Sequence, residues 1–120
     1  MKKQPEAIAM EWINTWNSHD INDIMSHYSE KIKFSSPIIK RLQVNDEGVI
    51  RDKKALQLYF EKGLNAFPDL KFELIKIFEG IGSMAIYYTS VNNMKVVEYL
   101  KVNDDNEIIE VNALYENALL

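Results

Sequence analysis

Between Pro5 and Asn17 the apolar residues Ile8, Trp12, Ile13 and Trp16 fall at helical spacing, and Pro5 suits a first turn, so a first helix is expected here. Asn17 to Asp20 break that period with turn-forming residues. Asp20 then reads as an N-cap, and Asp23 places an acid in the first turn of a short second helix whose apolar positions are Ile21, Ile24, Met25 and Tyr28. From Lys31 to Ser36 the period changes to two: Lys31, Lys33 and Ser35 face one way, Ile32, Phe34 and Ser36 the other. This predicts a strand that stops at Pro37. Ile38 to Arg51 shows no period and carries Asn45, Asp46 and Gly48, the pattern of a long irregular loop or lid. Asp52 caps a third helix with the stripe Leu56, Tyr59, Phe60, Gly63 and Leu64, and Pro68 closes its exit.

Beyond Pro68 the chain reads as strands. Residues 71–79, 83–91, 94–103 and 107–115 are strand-like runs separated by turn signals at 80–82, 92–93 and 104–106, which implies an antiparallel meander. Helices first and strands afterwards is the order of an α+β domain, not of an alternating fold with a parallel sheet. Three amphipathic helices and five strands, each with one apolar face, bury those faces only by enclosing one another. The alternation places Met84, Ile86 and Tyr88 on an inner face, with Val96, Glu98, Leu100 and Val102 beside them, then Val111, Ala113 and Tyr115. The opposite face carries Tyr87, Thr89, Lys95, Val97, Tyr99, Lys101, Glu110 and Asn112, a mixture that suits a wet homodimer interface.

Composition narrows the function classes. A chain of 120 residues, 47% hydrophobic and 27% charged, is read as a single domain over 1–120. Fourteen basic against eighteen acidic residues leave −4, the wrong sign for holding phosphate backbones, so no nucleic-acid partner is expected. With no cysteine there are no disulfides, thiolate nucleophiles or cysteine-based metal sites. His19 and His27 are the two histidines and do not suffice for a metal centre; no metal and no cofactor is expected. His19 reads as a solvated turn residue and His27 as a cation offsetting a helix C-terminus. No run is long and apolar enough for a membrane span or signal core, so a cytoplasmic address is expected.

The order of elements and four sequence words resemble the SnoaL-like group of the nuclear transport factor 2-like (NTF2-like) superfamily. The words are Trp16-Asn17-Ser18-His19-Asp20, Phe34-Ser35-Ser36-Pro37, Phe67-Pro68-Asp69-Leu70-Lys71-Phe72, and the final hairpin from Glu98 to Tyr115. The resemblance implies a cone: three N-terminal helices packed in a strongly curved, mostly antiparallel sheet, with a pocket at the wide end and pairing through the outer sheet face. It also implies that an unknown hydrophobic small molecule is the partner.

Glu98 is the candidate catalytic group, because its carboxylate shares a face with Leu100 and Val102, where a charge is costly unless paired, hydrogen-bonded or protonated. Trp12, Trp16, Phe34 and Phe60 are candidate apolar walls of the pocket, with Leu100 beside the acid. Tyr28, Tyr88 and Tyr115 are candidate hydroxyl donors to Glu98, and Ser36 is a further polar contact. Ketosteroid isomerase, in the same superfamily, resembles the chain in length and order. Its protonated strand acid falls on Glu98, its proton-shuttling Asp on Ser36, which is no base at neutral pH, and its helix-one Tyr on Trp12. Limonene-epoxide hydrolase needs an Asp-Arg-Asp set, and the candidates here, Arg41, Arg51, Asp46 and Asp52, lie in or beside the loop. Two functions stay open. One is a small-molecule binder, or an isomerase, cyclase or hydrolase acting on a hydrophobic carbonyl or hydroxyl compound. The other is a non-catalytic dimeric interaction domain working through Tyr87, Tyr99 and Lys101. The same residues also have a plain structural account: buried acids are often tied to a hydroxyl, and aromatic side chains at such spacing often fill a core.

Overall fold

Helix α1 (Pro5–Ser18) begins on Pro5 and buries Ile8, Ala9, Trp12, Ile13 and Trp16 along one face. It stops because His19 turns left-handed, φ 62°, with its N–H donating to the Trp16 carbonyl. Asp20 then caps α2 (Ile21–Ser26), its side chain accepting from the N–H groups of Asn22 and Asp23. Tyr28, expected inside this helix, instead opens strand β1 (Tyr28–Ser35), where it pairs with Ile108. The computed structural model describes residues 1–116.

The stretch without a period is anchored rather than a free lid. Ser36 caps a short helix α3 (Pro37–Arg41), its hydroxyl oxygen accepting from the Ile38 N–H, and strand β2 (Val49–Ile50) pairs with the end of β1. Ile39 and Ile50 are buried, and the Asn45 amide ties the turn by donating to the Val49 carbonyl and accepting from the Gly48 N–H. Two isolated apolar anchors and one asparagine create order without periodicity, so four α-helices stand among the described residues where three were expected. The fourth, α4 (Lys53–Ala66), starts on Asp52, which accepts from the Ala55 N–H, and buries Leu56 and Phe60.

The remaining strands are β3 (Glu73–Glu79), β4 (Ser83–Thr89), β5 (Lys95–Val102) and β6 (Ile108–Tyr115). The six strands of the described chain lie in the order β2-β1-β6-β5-β4-β3, antiparallel throughout except between β1 and β6. Register shifts at Leu74/Lys76 and Lys101/Val102 add residues to one strand only, which bends the sheet around the helices. At the first shift Leu74 and Ile77 both turn inward and Ile75 is pushed to 47% exposure. The inner face is as the alternation predicts: Met84, Ile86, Tyr88, Val96, Leu100, Val102, Val111 and Ala113 are all buried.

Two of the sequence words clamp each other. The Asn17 amide donates to the Phe72 carbonyl at 3.0 Å and accepts from the Phe72 N–H at 2.7 Å, so one side chain pairs with both backbone groups of a residue 55 positions away. His19 Nε2 lies 2.8 Å from the Leu70 carbonyl oxygen. His19 is therefore half-buried against the turn before β3, not a solvated turn residue. This clamp sets Phe72 against Trp12, with ring centroids 5.6 Å apart and planes at 22°.

Candidate functional site

Glu98 lies at the middle of β5, with Ile86 opposite on β4 and Ala113 opposite on β6. Its neighbours on the same face of its own strand are Val96 and Leu100. Its four neighbours on the inner sheet face are thus apolar, and the residue is 5% exposed. The Tyr88 hydroxyl donates to Oε1 at 2.9 Å, while Oε2 is buried with no partner among the described residues. Burial pushes the Glu98 pKa up from 4.5 to about 7, and the Tyr88 hydrogen bond offsets only part of that rise. The acid can therefore both donate and accept a proton near neutrality.

The neighbouring phenols are held firmly protonated. Burial raises Tyr88 and Tyr28, and the negative charge of Glu98 adds to both. The Trp12 indole donates to the Tyr28 oxygen at 3.1 Å, and the Trp12 ring meets Tyr88 edge-on at 5.3 Å between centroids. Trp12, Tyr28, Tyr88 and Glu98 thus form one buried group drawn from α1, β1, β4 and β5. Trp16 and Phe60 extend the aromatic wall, 4.7 Å apart, and Phe34 follows at 5.3 Å from Phe60. Leu100 is fully buried beside the acid. Tyr115 is half-buried, and its pKa is raised by burial and then by Glu98. Ser36 is spent partly on capping α3; its hydroxyl stands by Tyr115 and Tyr59 rather than on Glu98.

Two contributors were not singled out as site residues from the sequence. Tyr59, on α4, is raised to about 12 by burial, offset by Ser36, with Glu98 adding to the rise. Phe72 packs on Trp12, Trp16 and Tyr88. Tyr59 was visible only as part of a helix stripe, and Phe72 only as the last letter of a sequence word.

His27 differs from expectation. It is the C-cap of α2, but burial lowers its pKa against the raising effect of Glu11, and Nε2 lies 3.1 Å from the Thr15 hydroxyl. A half-buried neutral imidazole does not supply the cation expected at that helix end. The Arg and Asp residues considered for epoxide hydrolysis do not assemble either: Asp52 caps α4, Arg51 pairs with Glu47, and Arg41 and Asp46 are exposed. Two cavities lie elsewhere. One of about 580 Å³ is bounded by the turn Ala66–Lys71 and by Thr89–Asn93, and one of about 240 Å³ by His27, Lys3 and Asp105. Neither reaches Glu98.

The SnoaL-like domain pattern matches residues 9–108, most of the chain, from within α1 to the first residue of β6. This chain belongs to the SnoaL-like domain family. Among solved structures, a SnoaL-like protein of unknown function from Burkholderia thailandensis is similar at 31% identity, covering 94% of this chain and 95% of its own, with a TM-score of 0.89. An NTF2-like protein of unknown function from Cytophaga hutchinsonii shares the fold at 15% identity, over 99% and 97% of the two chains, with a TM-score of 0.74. The epoxide hydrolase/cyclase-like enzyme SalBIII, which takes part in pyran ring formation in the polyether salinomycin, shares it at 16% identity over 95% and 92%, with a TM-score of 0.75. No curated protein matches the chain. No helix among the described residues of this SnoaL-like domain is long and apolar enough to cross a membrane.

Proposed function

We propose that this SnoaL-like domain takes a flat hydrophobic carbonyl or hydroxyl compound into the interior of its cone, with Glu98 as the acid–base group. The observation that carries the reading is the buried Oε2 of Glu98, which has no partner among the described residues. A carboxyl with a pKa near 7 can protonate a carbonyl oxygen or accept from a hydroxyl, which suits isomerisation, cyclisation or hydrolysis. The pyran ring formation in which the similar SalBIII takes part lies within that range. In this reading Tyr28, Tyr88 and Tyr115 serve as polar contacts and the Trp12, Trp16, Phe34, Phe60 and Leu100 side chains as walls. The cytoplasmic address belongs to the same proposal.

The test is ligand-induced stabilisation against acetophenone, phenol and 1-naphthol, read as a rise in Tm, because a ligand that binds only the native state stabilises it by mass action. Glu98→Gln should fold and lose most of that rise. An unchanged rise removes Glu98 from the site, and no rise with any compound removes the interior site.

A second reading has its own support. Phe78 and Leu114 are each 51% exposed on the outer sheet face, in register with Ala85, Tyr99, Tyr87 and Val97, while neither cavity reaches Glu98. An apolar strip of that kind fits a homodimer formed through the outer face, with Tyr87, Tyr99 and Lys101 as the working surface of a non-catalytic interaction domain. A dimer that binds none of the three compounds favours this second reading.

A further inference from the structure

The larger of the two cavities, about 580 Å³, lies between two turns that are each tied down by hydrogen bonds, and the interior reading makes no use of it. One wall is the turn Ala66–Lys71. Asn17 holds both backbone groups of Phe72 just beyond it, His19 Nε2 stands 2.8 Å from the Leu70 carbonyl oxygen, and the Leu70 N–H donates to the Phe67 carbonyl at 3.0 Å. The other wall is the turn from Thr89 to Asn93. There the Ser90 N–H donates to the Met94 carbonyl at 2.7 Å and the Met94 N–H to the Val91 carbonyl at 3.1 Å. Asn92 and Asn93 are both left-handed, with φ 56° and 59°, the backbone of a tight hairpin turn. Backbone bonds hold this turn, so its amide and hydroxyl side chains are left for other partners.

We infer that this cleft is a binding site for a pyranose sugar, seated with its C–H face on Phe67 and its hydroxyls toward Ser90, Asn92 and Asn93. Phe67 ends α4 at 42% exposure, whereas Phe34, Phe60 and Phe72 are buried. The electron-rich face of an aromatic ring attracts the weakly positive C–H hydrogens of a pyranose. The other wall supplies amides and hydroxyls, which both donate and accept, as a row of neighbouring sugar hydroxyls requires. Asp69 and Lys71 line the same cavity and add an acceptor and a donor. An anion such as phosphate is disfavoured, because the carboxylates of Asp69 and Glu73 outnumber the single ammonium of Lys71. A wholly apolar ligand would cover the amides without giving them partners. The volume falls in the range of roughly 300–1,000 Å³ that small-molecule sites occupy. The site is distinct from Glu98, so its fate does not depend on the interior reading.

The test is an NMR titration of the whole chain with methyl β-D-glucopyranoside, methyl β-D-galactopyranoside and N-acetylglucosamine, following the side-chain amide resonances of Asn92 and Asn93 and saturation transfer to the sugar. Sorbitol serves as a control that carries the hydroxyls without a ring face, and N-acetylalanine methylamide as a control for a peptide. At least one pyranose should move both amide resonances saturably at millimolar concentration, and neither control should. Asn92→Gly and Asn93→Gly suit the left-handed backbone, so each should keep the wild-type Tm while weakening that sugar fivefold or more. Phe67→Ala, at an exposed position, should weaken it tenfold or more and remove the saturation transfer from the ring. The inference is overturned if no pyranose moves these resonances at tens of millimolar, if sorbitol moves them equally, or if the peptide control binds and the sugars do not. Binding that survives all three substitutions overturns it as well, since the sugar would then sit elsewhere.

Discussion

Replacing Glu98 by Gln keeps the shape of the side chain and removes its charge, so it isolates what burying that carboxyl costs the fold. The native pKa of about 7 lies above the ordinary 4.5, which means that the folded state binds this proton more tightly than the unfolded state does. The contribution of Glu98 is therefore most favourable below pH 4.5, is lost as pH rises from there to about 7, and is level above. A shift of that size corresponds to about 3 kcal/mol of stability lost across the window, taking roughly 1.4 kcal/mol per pKa unit. Gln has no such dependence. Urea unfolding followed by tryptophan fluorescence, run on both proteins from about pH 4.5 to about pH 8.5, gives the difference directly and cancels the other titrating groups. Near pH 4.5 the two should be within about 1 kcal/mol, the scale of a hydrogen bond to Tyr88. Above pH 7.5 the Gln protein should be the more stable, the gap having changed by about 3 kcal/mol in its favour. A gap that stays constant with pH would refute the argument, because it would mean that the carboxyl is solvated or paired in both states.

Other consequences follow from the same geometry. Tyr88→Phe removes the donor that holds the Glu98 pKa down, so the midpoint of the pH-dependent stability loss should move upward in the same denaturation series; an unmoved midpoint contradicts the Tyr88–Glu98 bond. Asn17→Ala breaks both bonds to the Phe72 backbone and should cost roughly 2 kcal/mol in urea unfolding; a loss below about 0.5 kcal/mol would show that the clamp does not hold β3. Leu114→Lys together with Phe78→Glu should convert a dimer to a monomer in sedimentation equilibrium without lowering Tm, and a wild-type monomer would rule out the outer-face interface.

Most of the architecture is legible along the chain because each face of an element has its own period. The α1 stripe, the alternation at 84–88 and 96–102, and the caps at Asp20 and Asp52 are local signals, and the folded chain uses them as they stand. The placement of Glu98 among hydrocarbon was readable for the same reason: strand alternation decides the side of the sheet, and its flanking residues on that side are apolar. The segment 38–51 was not readable, because its apolar anchors Ile39 and Ile50 are isolated and form no period, and Asn45 ties the turn through its side chain to the backbone of Gly48 and Val49. The same holds for Tyr28, which local spacing assigns to a helix and long-range pairing with Ile108 assigns to a strand.

The periodicity of apolar residues by itself determined which faces turn inward, since burying them offers the largest gain per residue and needs no knowledge of distant partners. Only the tertiary structure decided which polar groups meet inside. Hydrogen bonding is short-ranged and directional, so the meeting of Tyr88 with Glu98, of Trp12 with Tyr28, and of Asn17 with Phe72 depends on how three elements cross in space. The Glu98 carboxyl oxygen that has no partner among the described residues is visible only after every other bond has been placed.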